Sequence, residues 1–325
     1  MLSLFKKTPA ARNRYSDCSG CSLCLLVCPV WRQHRDVSLT PHGHAKALQH
    51  GASAAEVAAS ATHCTLCMAC EPVCPENIDI IGMILELRGQ LEMPNWLRSQ
   101  QARMEERAGR PAVSTPLSAM LLPDEALHGH PDTLARIIAI LGASISEDAG
   151  SDIALALESG AAIPEQRMQQ FIEPLRAQKK IIVADGLLLR HLKQWLPGTN
   201  VIGLGEALSN HADVRRGLRS TDLYVIEPRA YNSDYQRLVK HYDRLRADHG
   251  CGFNLDLQRI AIPATVRGLP QRLGLMAPDD DAQARWVLHG RSIARIVVEN
   301  LEDRAVFEKV SDTPLVHLVE LADDA

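Results

Sequence analysis

Aromatic residues make up only 4% of this 325-residue chain, and no apolar run approaches the roughly 20 residues that span a bilayer. Membrane contact is therefore expected only through a partner. An excess of positive charge is missing too. The formal net charge is −4, which offers little to neutralise phosphates, so nucleic acid is not an expected partner. Lys6, Lys7, Arg12 and Arg14 near the start are not followed by the apolar core of a signal peptide, which makes the cytoplasm the expected location. No G-x-x-x-x-G-K-[ST] phosphate cradle is present, and Gly203-Leu-Gly205 has Leu208 where a dinucleotide fingerprint needs its third glycine. Cysteine is nearly absent beyond position 74. Cys251 stands alone there, without a resolving partner, and reads as structural.

What is present is ordinary for a globular chain: 46% hydrophobic and 23% charged residues, in a length that suits two or three domains. The informative feature is local. Eight of the nine cysteines fall in two runs, Cys18-Ser-Gly-Cys21-Ser-Leu-Cys24-Leu-Leu-Val-Cys28-Pro29 and Cys64-Thr-Leu-Cys67-Met-Ala-Cys70-Glu-Pro-Val-Cys74-Pro75. Both read C-x2-C-x2-C-x3-C-P, the spacing of two-cluster ferredoxins, in which the fourth cysteine serves the other cluster. Three thiolates at that interval can each reach a different iron of a cubane. Proline after the fourth cysteine helps turn the chain away. The expected ligand sets are Cys18, Cys21, Cys24 and Cys74 for one [4Fe-4S] cluster, and Cys64, Cys67, Cys70 and Cys28 for the other. Zinc is the competing reading, but it usually takes two separated C-x2-C pairs around one ion. Leu23, Leu66 and Met68 interleave the ligands and Trp31 follows Cys28-Pro29; these four are expected to line the clusters and keep water away. His34, His42, His44, His50 and His63 lie between the runs and read as ordinary helix positions.

The segments around the runs look helical. Ser53-Ala-Ala-Glu56 is a capping-box pattern, and Asp79 precedes the apolar face Ile80, Ile84, Leu87 and Leu91. Met93–Arg110 reads as a further polar helix. Residues 1–110 carry twelve Lys and Arg against ten Asp and Glu, too even a balance to select a partner. This helical module, with Thr40-Pro41-His42-Gly43 between the runs and Cys74-Pro-Glu-Asn-Ile-Asp79-Ile80 after them, resembles a family group. That group holds the C subunit of heterodisulfide reductase and the iron–sulfur subunits of glycolate oxidase and anaerobic glycerol-3-phosphate dehydrogenase. The resemblance covers about residues 12–95 and implies an electron relay between a flavin-containing or cysteine-rich subunit and another carrier.

Prolines and glycines punctuate residues 108–131, which read as a linker. Beyond them helical and β-rich stretches alternate. Strands are expected at Ile181–Ala184, Asn200–Leu204, Asp222–Glu227, Arg259–Pro263, Ile293–Val298 and Leu315–Val319, as an α/β region with a largely parallel sheet. A shift of 114 residues superimposes 182–206 on 296–320 with seven identities in 25 positions: Ile182, Val183, Leu187, Arg190, Thr199, Leu204 and Glu206 meet Ile296, Val297, Leu301, Arg304, Thr313, Leu318 and Glu320. A duplication is expected, as in relatives whose cluster module precedes two cysteine-rich "CCG" halves. The closing Pro314-Leu-Val-His317-Leu-Val-Glu320-Leu resembles the end of such a half. The cysteines of those halves are missing. Val225-Ile-Glu227-Pro228-Arg229-Ala230 stands where they would carry a His-Asp-Pro-Cys-type segment, so their thiol-reducing site does not carry over.

The expected fold class is α+β and multidomain: an all-α ferredoxin-type module over 1–110, a linker over 111–131, and an α/β region of two degenerate CCG-like halves over 132–230 and 231–325. The expected function is that of an electron-transfer subunit with two [4Fe-4S] clusters and no catalytic residue of its own, in a heterodisulfide-reductase-like oxidoreductase. Its partners would be flavin-containing and cysteine-rich redox subunits and a ferredoxin-like donor or acceptor. The alternatives are a relay from a flavin dehydrogenase to quinone, and a scaffold with structural clusters.

Overall fold

The computed structural model describes residues 12–92, 119–266 and 279–323, with positions 95, 98, 99, 102 and 269 between them. The N-terminal part is helical: α1 (Leu23–Leu26), α2 (Pro29–His34), α3 (Pro41–Gln49), α4 (Ala54–Ala61) and α5 (Ile80–Arg88). Local chemistry sets their ends. Thr40 caps α3 by accepting from the Gly43 N–H at 3.3 Å, with Pro41 in the first turn. A Cβ on Gly43 would strike the Val37 carbonyl, which accounts for the glycine in the Thr-Pro-His-Gly segment. The Ser53–Glu56 capping box forms as read, and Asp79 caps α5 through the Gly82 N–H. The polar helix expected over Met93–Arg110 falls almost wholly outside the described residues.

The rest is two parallel four-stranded sheets. The first contains β1 (Ala119–Leu122), β2 (Ala143–Ile145), β3 (Lys180–Val183) and β4 (Asn200–Gly203), in the order β2-β1-β3-β4. Its helices are α6 (Glu125–His128), α7 (Pro131–Leu141), α8 (Ser151–Ser159), α9 (Glu165–Arg176), α10 (Gly186–Trp195), α11 (Leu204–Ser209) and α12 (Ala212–Arg216). The second contains β5 (Asp222–Val225), β6 (Gly252–Phe253), β7 (Arg295–Val298) and β8 (Leu315–His317), in the equivalent order β6-β5-β7-β8. Helices α13 (Pro228–Ser233), α14 (Tyr235–His249), α15 (Asp280–Leu288) and α16 (Leu301–Val310) accompany it. The elements superimpose at a shift of 115 residues, one more than the sequence identities suggest: Lys180–Val183 falls on Arg295–Val298 and Gly186–Trp195 on Leu301–Val310. Ile182 pairs with Leu121 of β1, and Ile296 pairs with Leu223 of β5.

Three boundaries differ from the sequence reading. The linker contains β1, α6 and the first residue of α7, because Ala119–Leu122 is a short, wholly buried apolar strand between Pro116 and Pro123. Two flanking prolines had masked it. The second α/β unit begins at β5 rather than at residue 231, since Asp222–Val225 pairs with β6 and β7. Arg259–Pro263 makes no strand: Arg259 takes φ 63°, Asp256 folds a turn by accepting from Gln258 and Ile260, and only a Leu255–Ala261 bridge survives.

The parts are welded together. One apolar core runs through both sheets, from Leu121 and Ile182 to Tyr224 and Val297. The helical module docks on it through buried polar groups. Glu71 accepts from Arg12, Arg190 and the Ile81 N–H, while Arg190 also reaches Asp79 at 2.8 Å. Arg88 is 1% exposed and donates to the carbonyls of Ala61, Thr62, Cys64 and, across the junction, Glu158. Arg88→Met keeps much of the volume but leaves those carbonyls without a donor. It is expected to cost about 3–5 kcal/mol in urea unfolding, whereas a loss below about 1 kcal/mol would mean that water replaces the guanidinium.

Candidate iron–sulfur site

The two cysteine runs share one backbone shape. Gly20 and Ser22 take φ 80° and 65° in the first, and Leu66 and Met68 take 54° and 62° at the matching places in the second. Left-handed backbone at two non-adjacent residues curls each loop around a centre. For Ser, Leu and Met this costs free energy that surrounding contacts must offset. The second loop has those contacts: Leu66 and Met68 are completely buried in the core that includes Ile81, Ile84 and Leu87.

Side chains from elsewhere hold each loop by its carbonyls. Lys46 and Gln49 of α3 both donate to Cys18 O at 3.0 Å. The second loop is gripped from three sides, by Arg88 on Cys64 O, Arg229 on Thr65 O (3.1 Å) and Asn232 on Cys67 O (2.9 Å). The runs are also tied to each other: Asn13, just before the first, bonds Asn77 O and the Asp79 N–H, just after the second.

The sulfurs gather across the runs as the spacing implies. Cys18, Cys21, Cys24 and Cys74 line one cavity with Pro41, Ile78 and Met83. Burial, and then Cys18, Cys21 and Cys74, raise the Cys24 thiol to about 12. Cys28, from the first run, sits with the other set: burial raises it to about 12, nearby Trp31 and Val30 N–H groups pull it down, and Cys67 and Cys64 raise it. Cys70 rises well above the usual thiol range through burial and then Cys64 and Cys67, with Cys24 also contributing. Raised thiols such as Cys24, Cys28 and Cys70 are held as thiolates by a strong countercharge, which the iron of a bound cluster would supply. Among the described residues no three His, Cys, Asp or Glu groups close tightly enough for a single metal ion, as a mononuclear zinc site would require. The donor set fits a larger, sulfur-ligated group.

The two sets differ in exposure. Cys21 is exposed, as are Leu23 at 38% and Leu26 at 70%. Leu23 thus presents part of its side chain to solvent, on a short helix α1 that packs against α2 and α3. Cys28, Cys64, Cys67 and Cys70 are buried, and Ile260 from the second α/β unit packs on Cys67 and Ala69. Trp31 is half-buried, with the Arg35 guanidinium 5.7 Å from its ring centre. Cys251 lies in the shared core with its thiol raised to about 11 by burial and Asp222, a packing role. A Cβ on Gly205 would strike the Glu299 carboxylate, which accounts for the glycine there.

Residues 14–78 match the family model of the 4Fe-4S dicluster domain. No curated protein and no solved structure matches the chain. The match spans all eight cysteines of the two runs, and it defines an iron–sulfur protein of the electron-transfer type. Among the described residues no helix is long and apolar enough to cross a membrane.

The left-handed positions give a direct check. Ser22 is partly exposed, so Ser22→Gly removes strain without opening a core, and thermal unfolding is expected to show a gain of up to about 1 kcal/mol. Ser22→Val should cost at least about that much, because a β-branched side chain resists positive φ.

Proposed function

We propose that this chain is a one-electron relay that holds two [4Fe-4S] clusters, one on Cys18, Cys21, Cys24 and Cys74 and one on Cys64, Cys67, Cys70 and Cys28. The supporting observation is the cavity in which Cys74 of the second run joins three cysteines of the first. When bound, such clusters each accept and release one electron at nearly constant geometry. The protein's own residues do the rest. The exposed Cys21 edge lets a redox partner approach, while the buried second loop, fixed by Arg88, Arg229 and Asn232, is kept dry and still.

The partners that suit this arrangement are flavin-containing and cysteine-rich subunits of a cytoplasmic heterodisulfide-reductase-like oxidoreductase, with a ferredoxin-like carrier at the exposed edge. The small module with two α/β units of equal strand order supports that reading. The family's thiol chemistry would have to reside in another subunit. Relay from a flavin dehydrogenase to quinone is the second reading, favoured by the same order of parts in glycolate-oxidase-type subunits.

Anaerobic purification followed by iron and sulfide analysis tests the ligand sets. The native chain is expected to hold about eight irons and Cys74→Ala about four. The signal lost in Cys74→Ala should match the one lost in Cys21→Ala, not that lost in Cys67→Ala. Cys28→Ala should match Cys67→Ala. Pairing within each run would overturn the crossed assignment, and a native chain whose clusters resist dithionite would overturn the relay. Co-purification from the native host then reports the partners.

A further inference from the structure

Away from the cysteine-lined cavity, a larger one of about 410 Å³ lies between the two α/β units. Its position is set by topology. In the order β2-β1-β3-β4 the chain reverses direction across the sheet between β1 and β3, and in β6-β5-β7-β8 between β5 and β7. Crevices beyond the carboxyl ends of strands at such reversals are where open α/β sheets bind ligands. All four of the relevant loops face this one cavity: Pro123-Asp124 after β1, Asp185-Gly186 after β3, Pro228-Arg229 after β5 and Asn300 to Asp303 after β7. It is not a gap left by poor docking. Beside it a Cβ on Gly186 would lie 2.5 Å from Arg229 Cβ, so α10 and α13 are already in closest contact.

The charge of the walls selects the occupant. Among the described residues, seven carboxyl groups line the cavity against one cation, Arg229. Arg229 is already engaged, by Thr65 O and by Glu158 at 3.6 Å. Burial raises Asp124 and Asp303 to about 7 and Glu227 to about 8, and neighbouring Asp185 and Glu302 add to the rise, while hydrogen bonds from the Leu127 N–H, Thr265 and the Ala230 N–H oppose it. Anionic ligands would add to that repulsion. A single metal ion is not catered for either, since no three carboxyls close on one point among the described residues. The acidic groups are spread over opposite walls, as an extended ligand requires. The size is that of a small-molecule site.

We propose that this cavity binds a small organic cation, an amine or guanidine, held between the carboxylates of the two α/β units. Thr65 and Cys67 of the second cysteine run form part of its wall, so the ligand sits beside that loop. Bound there, its positive charge would favour electron uptake at the buried site, and reduction would tighten its binding by the same factor. The binding claim stands whether or not the relay reading holds.

Calorimetric titration of the purified full-length chain with 1,4-diaminobutane, and with succinate as the size-matched dianion, tests it. The diamine is expected to bind and the dianion not. Glu302→Lys reverses charge at an exposed wall residue, and Ala154→Phe fills space from α8. Each should weaken diamine binding about tenfold or more, the effect of a lost charged contact, with unchanged melting temperature and iron content. No diamine binding, equal binding of succinate, or binding that both variants leave intact would overturn the proposal.

Discussion

The Arg88 guanidinium is the contact on which the assembly turns. It is sealed from water, and its donors are shared among the backbone before the second cysteine run, the Cys64 carbonyl and the Glu158 carbonyl of the first α/β unit. Burial pulls it down, while Cys64 and Glu158 help keep it charged. Five donors in a rigid plane let one side chain satisfy carbonyls from a helix end, a cluster loop and a separate sheet unit. Glu71 and Arg190 form a second buried knot, with Arg12 at its exposed edge, so the loop that carries Cys64, Cys67 and Cys70 is as much a part of the α/β region as of its own module.

This produces a polarity in the molecule. The first cysteine set is open at Cys21 and held mainly by α3, whereas the second is enclosed by residues from both α/β units. Electrons arriving at the open edge would move toward the interior, where the second loop walls the acidic cavity. The α/β region thus shapes the environment of the buried cysteines.

Residues that the 114-residue shift matches between the two α/β units differ in partner. Arg190 of α10 reaches out of its unit to Glu71 and Asp79, while Arg304 of α16 stays home with Glu308 and Glu320. Glu206 pairs with Arg237, and its counterpart Glu320 with Arg304. In the sheets that shift runs one residue out of register: Ile182 and Val297 face the core shared by both sheets, whereas Val183 and Ile296 face the outer core of their own unit.

How much was legible followed from the range of each interaction. The Ser53 and Asp79 caps and the 3.6-residue and alternating patterns are local, and they held. The β1 strand, the start of the second unit at β5 and the lost strand at Arg259 were misread, because sheet pairing and turn strain act between distant residues. Leu23 and Leu66 occupy comparable places in the two runs, yet one is exposed and the other has no accessible surface. Nothing in the runs themselves distinguishes them. The sequence by itself determined which cysteines can act together, since ligand spacing along a chain is a covalent constraint. Only the tertiary structure decided which set is buried, what grips it and that an acidic cavity lies beside it, since burial and charge balance depend on what the rest of the chain brings into contact.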